Sequence, residues 1–140
     1  MLGPNSVLEK ECVADGALTK FRIVKKGTNE DDLAPATAVT ESLMGVVQHD
    51  AADTERARLM VIGISKVEFG GAVVQGEMLT TDANGKAVKA TRHTHLENTN
   101  ATYLQNETTA VGSDVRVIGM AMSNGADGEI GTVLLMPGMV

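Results

Sequence analysis

The sequence has no tryptophan, one tyrosine and two phenylalanines in 140 residues. Proteins that hold single-stranded nucleic acid stack the bases on aromatic rings inside a basic groove. Those platforms are scarce here. The 12 Lys and Arg are outnumbered by 18 Asp and Glu, for a formal net charge of −6, so phosphate neutralisation is also missing. The expectation is a chain with no nucleic-acid partner. Cys12 is the single cysteine, which excludes an intrachain disulfide and a thiolate metal cage. It has no neighbouring His or Asn motif and reads as a buried thiol rather than a nucleophile. No apolar run nears the ~20 residues of a membrane-spanning helix. The opening Met1-Leu2-Gly3-Pro4-Asn5 lacks the basic and apolar regions of an export signal. A protein folded in a cytoplasm, with no membrane partner, is expected.

What remains is an aliphatic core of Val, Leu, Ile and Ala with eight Met, at a length suited to one domain. One internal repeat stands out. Leu43-Met44-Gly45-Val46-Val47, Ala52-Asp53-Thr54-Glu55 and Leu59-Met60-Val61 return as Val117-Ile118-Gly119-Met120-Ala121, Ala126-Asp127-Gly128-Glu129 and Val133-Leu134-Leu135. Each copy is an apolar strand, a polar turn and another apolar strand, the pattern of a half-buried hairpin.

Other segments agree. Thr19-Lys20-Phe21-Arg22-Ile23-Val24 alternates, with Thr19, Phe21 and Ile23 on the inner face of a predicted strand. Arg56 to Val61 places Ala57, Leu59 and Val61 inward, and Val67-Glu68-Phe69 begins a further strand before Gly70-Gly71. Asn84-Gly85, between Met78-Leu79-Thr80-Thr81 and Lys86-Ala87-Val88, predicts a type I′ hairpin. No segment keeps a helical period. The expected fold is all-β: a single antiparallel β-barrel or jelly-roll-like sandwich built from short hairpins. Residues 1–17 form an expected N-terminal arm, and 18–140 a single β-domain. That domain carries a polar excursion at 91–113, where six Thr and three Asn fall among few apolar residues. It reads as a long β-excursion with polar faces or an ordered loop, and loops this long are usually functional or mobile.

Candidate chemistry is sparse. His93 and His95, two apart on a strand, would share a face as in a metal-binding jelly roll. A cupin-like metal-dependent enzyme is therefore the alternative reading, with His49 as a third ligand by accident of folding. The spacing argues against it: Gly85 lies too far upstream, Glu97 follows His95 too closely, and a second cupin signature is absent. Ser65 lacks the second glycine of a nucleophile elbow. Lys86 follows Asn-Gly without the flanks of a carrier lysine and reads as a solvated turn residue. The acids Asp31-Asp32, Asp53/Glu55 and Asp127/Glu129 sit in turns, where carboxylates are normally solvated. No catalytic, cofactor-binding or metal-binding residue is assigned.

Several strings resemble the tailed-bacteriophage capsid decoration, or cement, proteins. They are Ala14-Asp15-Gly16-Ala17-Leu18, Phe21-Arg22-Ile23-Val24-Lys25-Lys26-Gly27, Gly45-Val46-Val47, Gly76-Glu77-Met78-Leu79-Thr80-Thr81-Asp82, Gly85-Lys86-Ala87-Val88, Gly119-Met120-Ala121 and Gly128-Glu129-Ile130. The motifs are glycine-and-turn patterns, and their order carries the resemblance across residues 14–90 and 115–138. It implies a barrel or jelly-roll subunit on the outer surface of an icosahedral head, assembled in the host cytoplasm. There it would bridge neighbouring major capsid proteins and self-associate as a homodimer, or alternatively a homotrimer, without enzymatic activity or cofactor. Residues 91–113 depart from the family's shorter connection.

Overall fold

A computed structural model of the chain describes residues 5–91 and 115–139. They contain nine strands and no helix: β1 (Asn5–Ala14), β2 (Ile23–Lys26), β3 (Asp32–Pro35), β4 (Leu43–Val47), β5 (Arg56–Glu68), β6 (Met78–Thr81), β7 (Ala87–Lys89), β8 (Arg116–Ala121) and β9 (Ile130–Met139). The protein is all-β, as the alternating segments predict.

In place of one antiparallel barrel or sandwich, the strands make two circuits that share β5. The first runs β1-β3-β2-β4-β5 and closes where β5 pairs β1. Its β1 and β3 are parallel, through Val13↔Asp32 and Ala14↔Leu33. The second runs β5-β9-β8-β6-β7, and a single parallel bridge, Phe69↔Ala87, returns it to the end of β5. β5 serves both because it is 13 residues long, roughly 40 Å of extended chain. Near its start it pairs β4 at Leu59 and Met60; from Gly63 onward it pairs β9. The separate strands expected at Arg56 to Val61 and from Val67 are one, and Gly63 between them is a crossing point with β1. A Cβ there would stand 2.5 Å from the Asn5 carbonyl oxygen and 2.8 Å from the Val7 nitrogen.

The two circuits are copies of one motif. The repeated hairpins are β4–β5 and β8–β9. Gly45 and Gly119 back onto the carbonyls of Met60 and Leu134, where a Cβ would lie 2.2 and 1.9 Å from the oxygen. The duplication reaches further than the sequence shows. Pairs Glu9↔Met60 to Val13↔Arg56 recur in register as Ile64↔Leu134 to Glu68↔Ile130. Val24↔Pro35 to Lys26↔Leu33 recur as Leu79↔Lys89 to Thr81↔Ala87. The bridge Leu18↔Ala51 recurs as Val73↔Gly125. So β1 corresponds to β5, and β5 in turn corresponds to β9.

This arrangement explains the burial. Val24, Val47 and Leu59 join Cys12 and Leu33 in the interior of the first circuit. Their chain neighbours Ile23, Val46 and Met60 join Phe69, Leu79 and Ile118 in the cluster of the second. The middle strands are thus buried on both faces, like strands covered by layers on each side.

The turns repeat as well. Glu55 Oε1 accepts the Ala52 N–H at 2.8 Å, Glu77 Oε1 the Val74 N–H at 2.9 Å, and Glu129 Oε1 the Ala126 N–H at 2.8 Å. The third residue of each turn has positive φ: Thr54 at 73°, Gly76 at 97° and Gly128 at 86°. The Val74 amide holds the Glu77 carboxyl below the usual carboxylate range. Glu55 and Glu129, expected to be merely solvated, are turn caps, and Glu77 is a third. The Asn84-Gly85 hairpin also differs from expectation. Only Gly85 has positive φ, because Asp82 Oδ1 accepts both the Asn84 and Lys86 amides, at 2.8 and 2.9 Å. The result is a longer loop with one left-handed glycine rather than a type I′ turn.

Candidate interaction surface

The structure disperses the residues with chemical potential. Cys12 is buried on β1, and burial pushes its thiol pKa up, which makes it a poor nucleophile. Ser65 is fully buried; its hydroxyl donates to the Lys66 carbonyl and accepts from Gln48 Nε2, each at 2.9 Å. The His49 ring has both nitrogens engaged. Nε2 accepts the Arg58 N–H at 3.1 Å, so Nδ1 carries the proton and donates to the Asp50 carbonyl at 3.0 Å. Lys86, expected to be a solvated turn residue, is instead half-buried, with its Nζ 3.4 Å from Glu68 Oε2. His93 and His95, and all of the 91–113 excursion except Thr91, lie outside the described residues. Among the described residues no group of three His, Cys, Asp or Glu converges as a metal site.

Two apolar features stand at opposite ends of the duplicated motif. The first is β1. Residues 1–17, set apart in the sequence as an arm, supply this strand from Asn5, laid along β5 by pairs that begin at Asn5↔Ile64. Asn5 to Glu11 are all exposed. Val7 is 73% exposed, and Leu8 (49%) faces Ile62 (41%) beside a register shift. Among the described residues the other edge of β1 is paired only at Val13 and Ala14. Such an edge invites a further strand. Arg56 Nη1 to Glu11 Oε1 (2.7 Å) and Lys10 Nζ to Asp31 Oδ1 (2.7 Å) hold its far half.

The second feature comes from the duplication itself. Ile23, Val46 and Met60 are buried because the second circuit packs on them. Their counterparts there are Met78, Met120 and Leu134, which remain half-exposed. Met136, further along β9, is exposed. Among the described residues one circuit is covered and its copy is open on the equivalent face. Methionine suits such a face, because an unbranched, polarisable side chain adapts to varied partners.

A solved structure has this architecture. The fold is similar to that of the head fiber N base of bacteriophage phi29. The TM-score is 0.62 at 16% sequence identity, and the match covers 92% of this chain and 93% of that one. No family model matches the sequence, and no curated protein matches it. The likeness extends over both circuits and not merely over one hairpin pair.

Proposed function

We propose that this chain is a structural protein of a phage virion that binds the outside of the icosahedral head and stabilises it by bridging neighbouring major capsid proteins. The observation that carries this reading is the likeness of nearly the whole fold to the base of a phage head fiber. The decoration-protein pattern in the sequence supports it, and the whole looks close to the cement protein of a Bordetella phage. In this reading the chain is not an enzyme and needs no cofactor. It is assembled in the host cytoplasm and works on the virion surface as a homodimer or homotrimer. The β1 edge and the open Met78–Met120–Leu134 face are the surfaces offered to neighbours. Weak contacts repeated over a symmetric shell gain strength through effective concentration, and binding only the assembled form stabilises that form by mass action.

Cosedimentation with expanded heads tests the reading. Binding is expected to saturate at a fixed ratio, to be absent with isolated capsid subunits, and to raise the melting temperature of the shells. Deleting residues 1–13 is a poor probe, because it removes β1 from the first circuit. Val7→Asp with Leu8→Asp, and separately Met120→Glu, challenge the two surfaces without removing a strand. Full-length protein that fails to sediment with expanded heads, or binds without raising their melting temperature, overturns the proposal.

A further inference from the structure

Phe21 is the one described position where a large apolar residue occupies a left-handed backbone, at φ 62°. Its backbone is held from both sides: its N–H donates to the Val47 carbonyl, and its carbonyl accepts the Glu68 N–H, each at 2.8 Å. The equivalent residue in the second circuit is Gly76, at φ 97° and with the matching bond to the Ala121 carbonyl. Glycine is what this turn favours. The phenylalanine is not there to fill the core either, for it is only half-buried and belongs to neither apolar cluster.

Its ring lines an open concavity of about 480 Å³ together with Lys20, Asp50, Lys66, Glu68 and the exposed Ile130. Lys20 Nζ and Lys66 Nζ stand 5.7 and 5.9 Å from the ring centroid, within cation–π range. Among the described residues neither ammonium has an ion-pair partner. The two carboxylates nearby are already engaged: Glu68 by Arg22 Nε at 3.1 Å and Lys86 Nζ at 3.4 Å, Asp50 by the Lys20 amide at 2.8 Å. An acidic protein therefore keeps two uncommitted cations around a strained aromatic side chain. Strain held at a surface beside two uncommitted cations motivates a functional hypothesis.

We infer that this concavity binds a short acidic segment of a partner protein, its carboxylates between Lys20 and Lys66 and an adjacent aliphatic side chain on Phe21 and Ile130. A site this open suits a chain segment better than a small molecule, which needs most of its surface enclosed. The inference does not depend on the partner being a capsid protein.

The test is a two-dimensional NMR titration at low salt with acetyl-Glu-Leu-Glu-amide, and with acetyl-Gln-Leu-Gln-amide as the uncharged control. Saturable shifts at the Lys20, Phe21 and Lys66 amides and at the Phe21 ring are expected, about tenfold weaker with the control and fading at high salt. Phe21→Gly, which copies the second circuit, is expected to melt within a few degrees of the parent and to lose the shifts. Lys20→Gln with Lys66→Gln is expected to do the same. Equal shifts with both peptides, shifts centred elsewhere, or no shifts at all overturn the inference. So does a Phe21→Gly protein that is grossly destabilised while the double lysine variant still binds.

Discussion

Ala14, Ala51 and Ala57 in the first circuit stand where the second has Phe69, Gly125 and Gly131. The same space is filled by three small side chains in one copy and by one large side chain with two absences in the other. A Cβ on Gly125 or Gly131 would lie 2.4 Å from the Phe69 ring. The duplicated backbone thus constrains the total volume of the trio, while the sequence is free to divide it. Cores behave this way generally, tolerating substitution when volume and pattern are kept.

The largest expected effect comes from breaking that division. Phe69 is fully buried, and Phe69→Ala is expected to cost about 3–5 kcal/mol through lost burial and a residual cavity. Adding Gly125→Ala and Gly131→Ala rebuilds the first circuit's solution in the second and is expected to recover roughly 1–2 kcal/mol. Urea unfolding of the parent, single and triple variants measures both. A triple variant less stable than Phe69→Ala alone would show that the circuits are alike in hydrogen bonding but not in core shape.

How much of this was legible in the sequence follows from how the copies overlap. The β4–β5 and β8–β9 hairpins could be read because Gly45 and Gly119 must be glycine where strands cross, and because Glu55 and Glu129 cap the same turn. The rest of the duplication was not legible. β5 is the last strand of one copy and the first of the next, so the repeats interlock. Ile64 follows Glu9 by 55 residues, whereas Leu134 follows Met60 by 74. Where they align, little but Gly16-Ala17 and Gly71-Ala72 is shared, since each core fills itself differently. Phe21 misled for another reason. Thr19, Phe21 and Ile23 alternate like a strand, yet β2 begins only at Ile23, and the turn before it takes the left-handed form that Gly76 accepts at no cost. The candidate surface was half visible. The exposed start of β1 lies within the segment the sequence marked as an arm, but the open face of Met78, Met120 and Leu134 exists only by contrast with its covered twin.

A second, smaller test concerns the link between β3 and β4, whose counterpart between β7 and β8 is much longer. Here Glu41 folds over its own turn. Its Oε1 accepts the Thr37 and Ala38 amides at 2.7 and 2.9 Å, and Lys25 Nζ lies 2.5 Å from Oε2. Burial is the strongest single influence and pushes the carboxyl up. The Lys25 ammonium, the two amides and the Thr37 hydroxyl together outweigh it and hold the pKa at about 2, against an ordinary 4.5. A pKa depressed in the folded state contributes stability above the unfolded value and loses it as pH falls through the folded one. Linkage sets an upper bound of about 3 kcal/mol, and roughly 2 kcal/mol remains after allowing for solvent screening of the partly exposed pair. Glu41→Gln is therefore expected to lower stability by about that amount at pH 7. The gap to the parent should narrow between pH 4.5 and 2, as followed by chemical denaturation across that range. A gap that is constant with pH would mean the turn, and not the charge, is what the substitution disturbs.

The smallest effect sharpens the comparison most. Thr54 and Gly128 occupy the same place in the two Glu-capped turns, at φ 73° and 86°. Their amides make the same bond, Thr54 N–H to the Ala14 carbonyl and Gly128 N–H to the Phe69 carbonyl, each at 2.8 Å. A β-branched residue at positive φ is strained, by about 1–3 kcal/mol for sparsely populated backbone in general. Replacing it by glycine removes the strain but frees the unfolded chain, at a cost of about 0.5–1 kcal/mol. Thr54 is exposed, so little burial is lost with its side chain. Thr54→Gly is expected to stabilise the protein by about 1 kcal/mol, or roughly 4 °C in melting temperature for a domain of this size, and Gly128→Thr to destabilise it by a similar amount. Calorimetry of the two exchanges decides the matter. If both lower the melting temperature, the first turn has adapted to its threonine, and the equivalence of the two circuits stops at their hydrogen bonds.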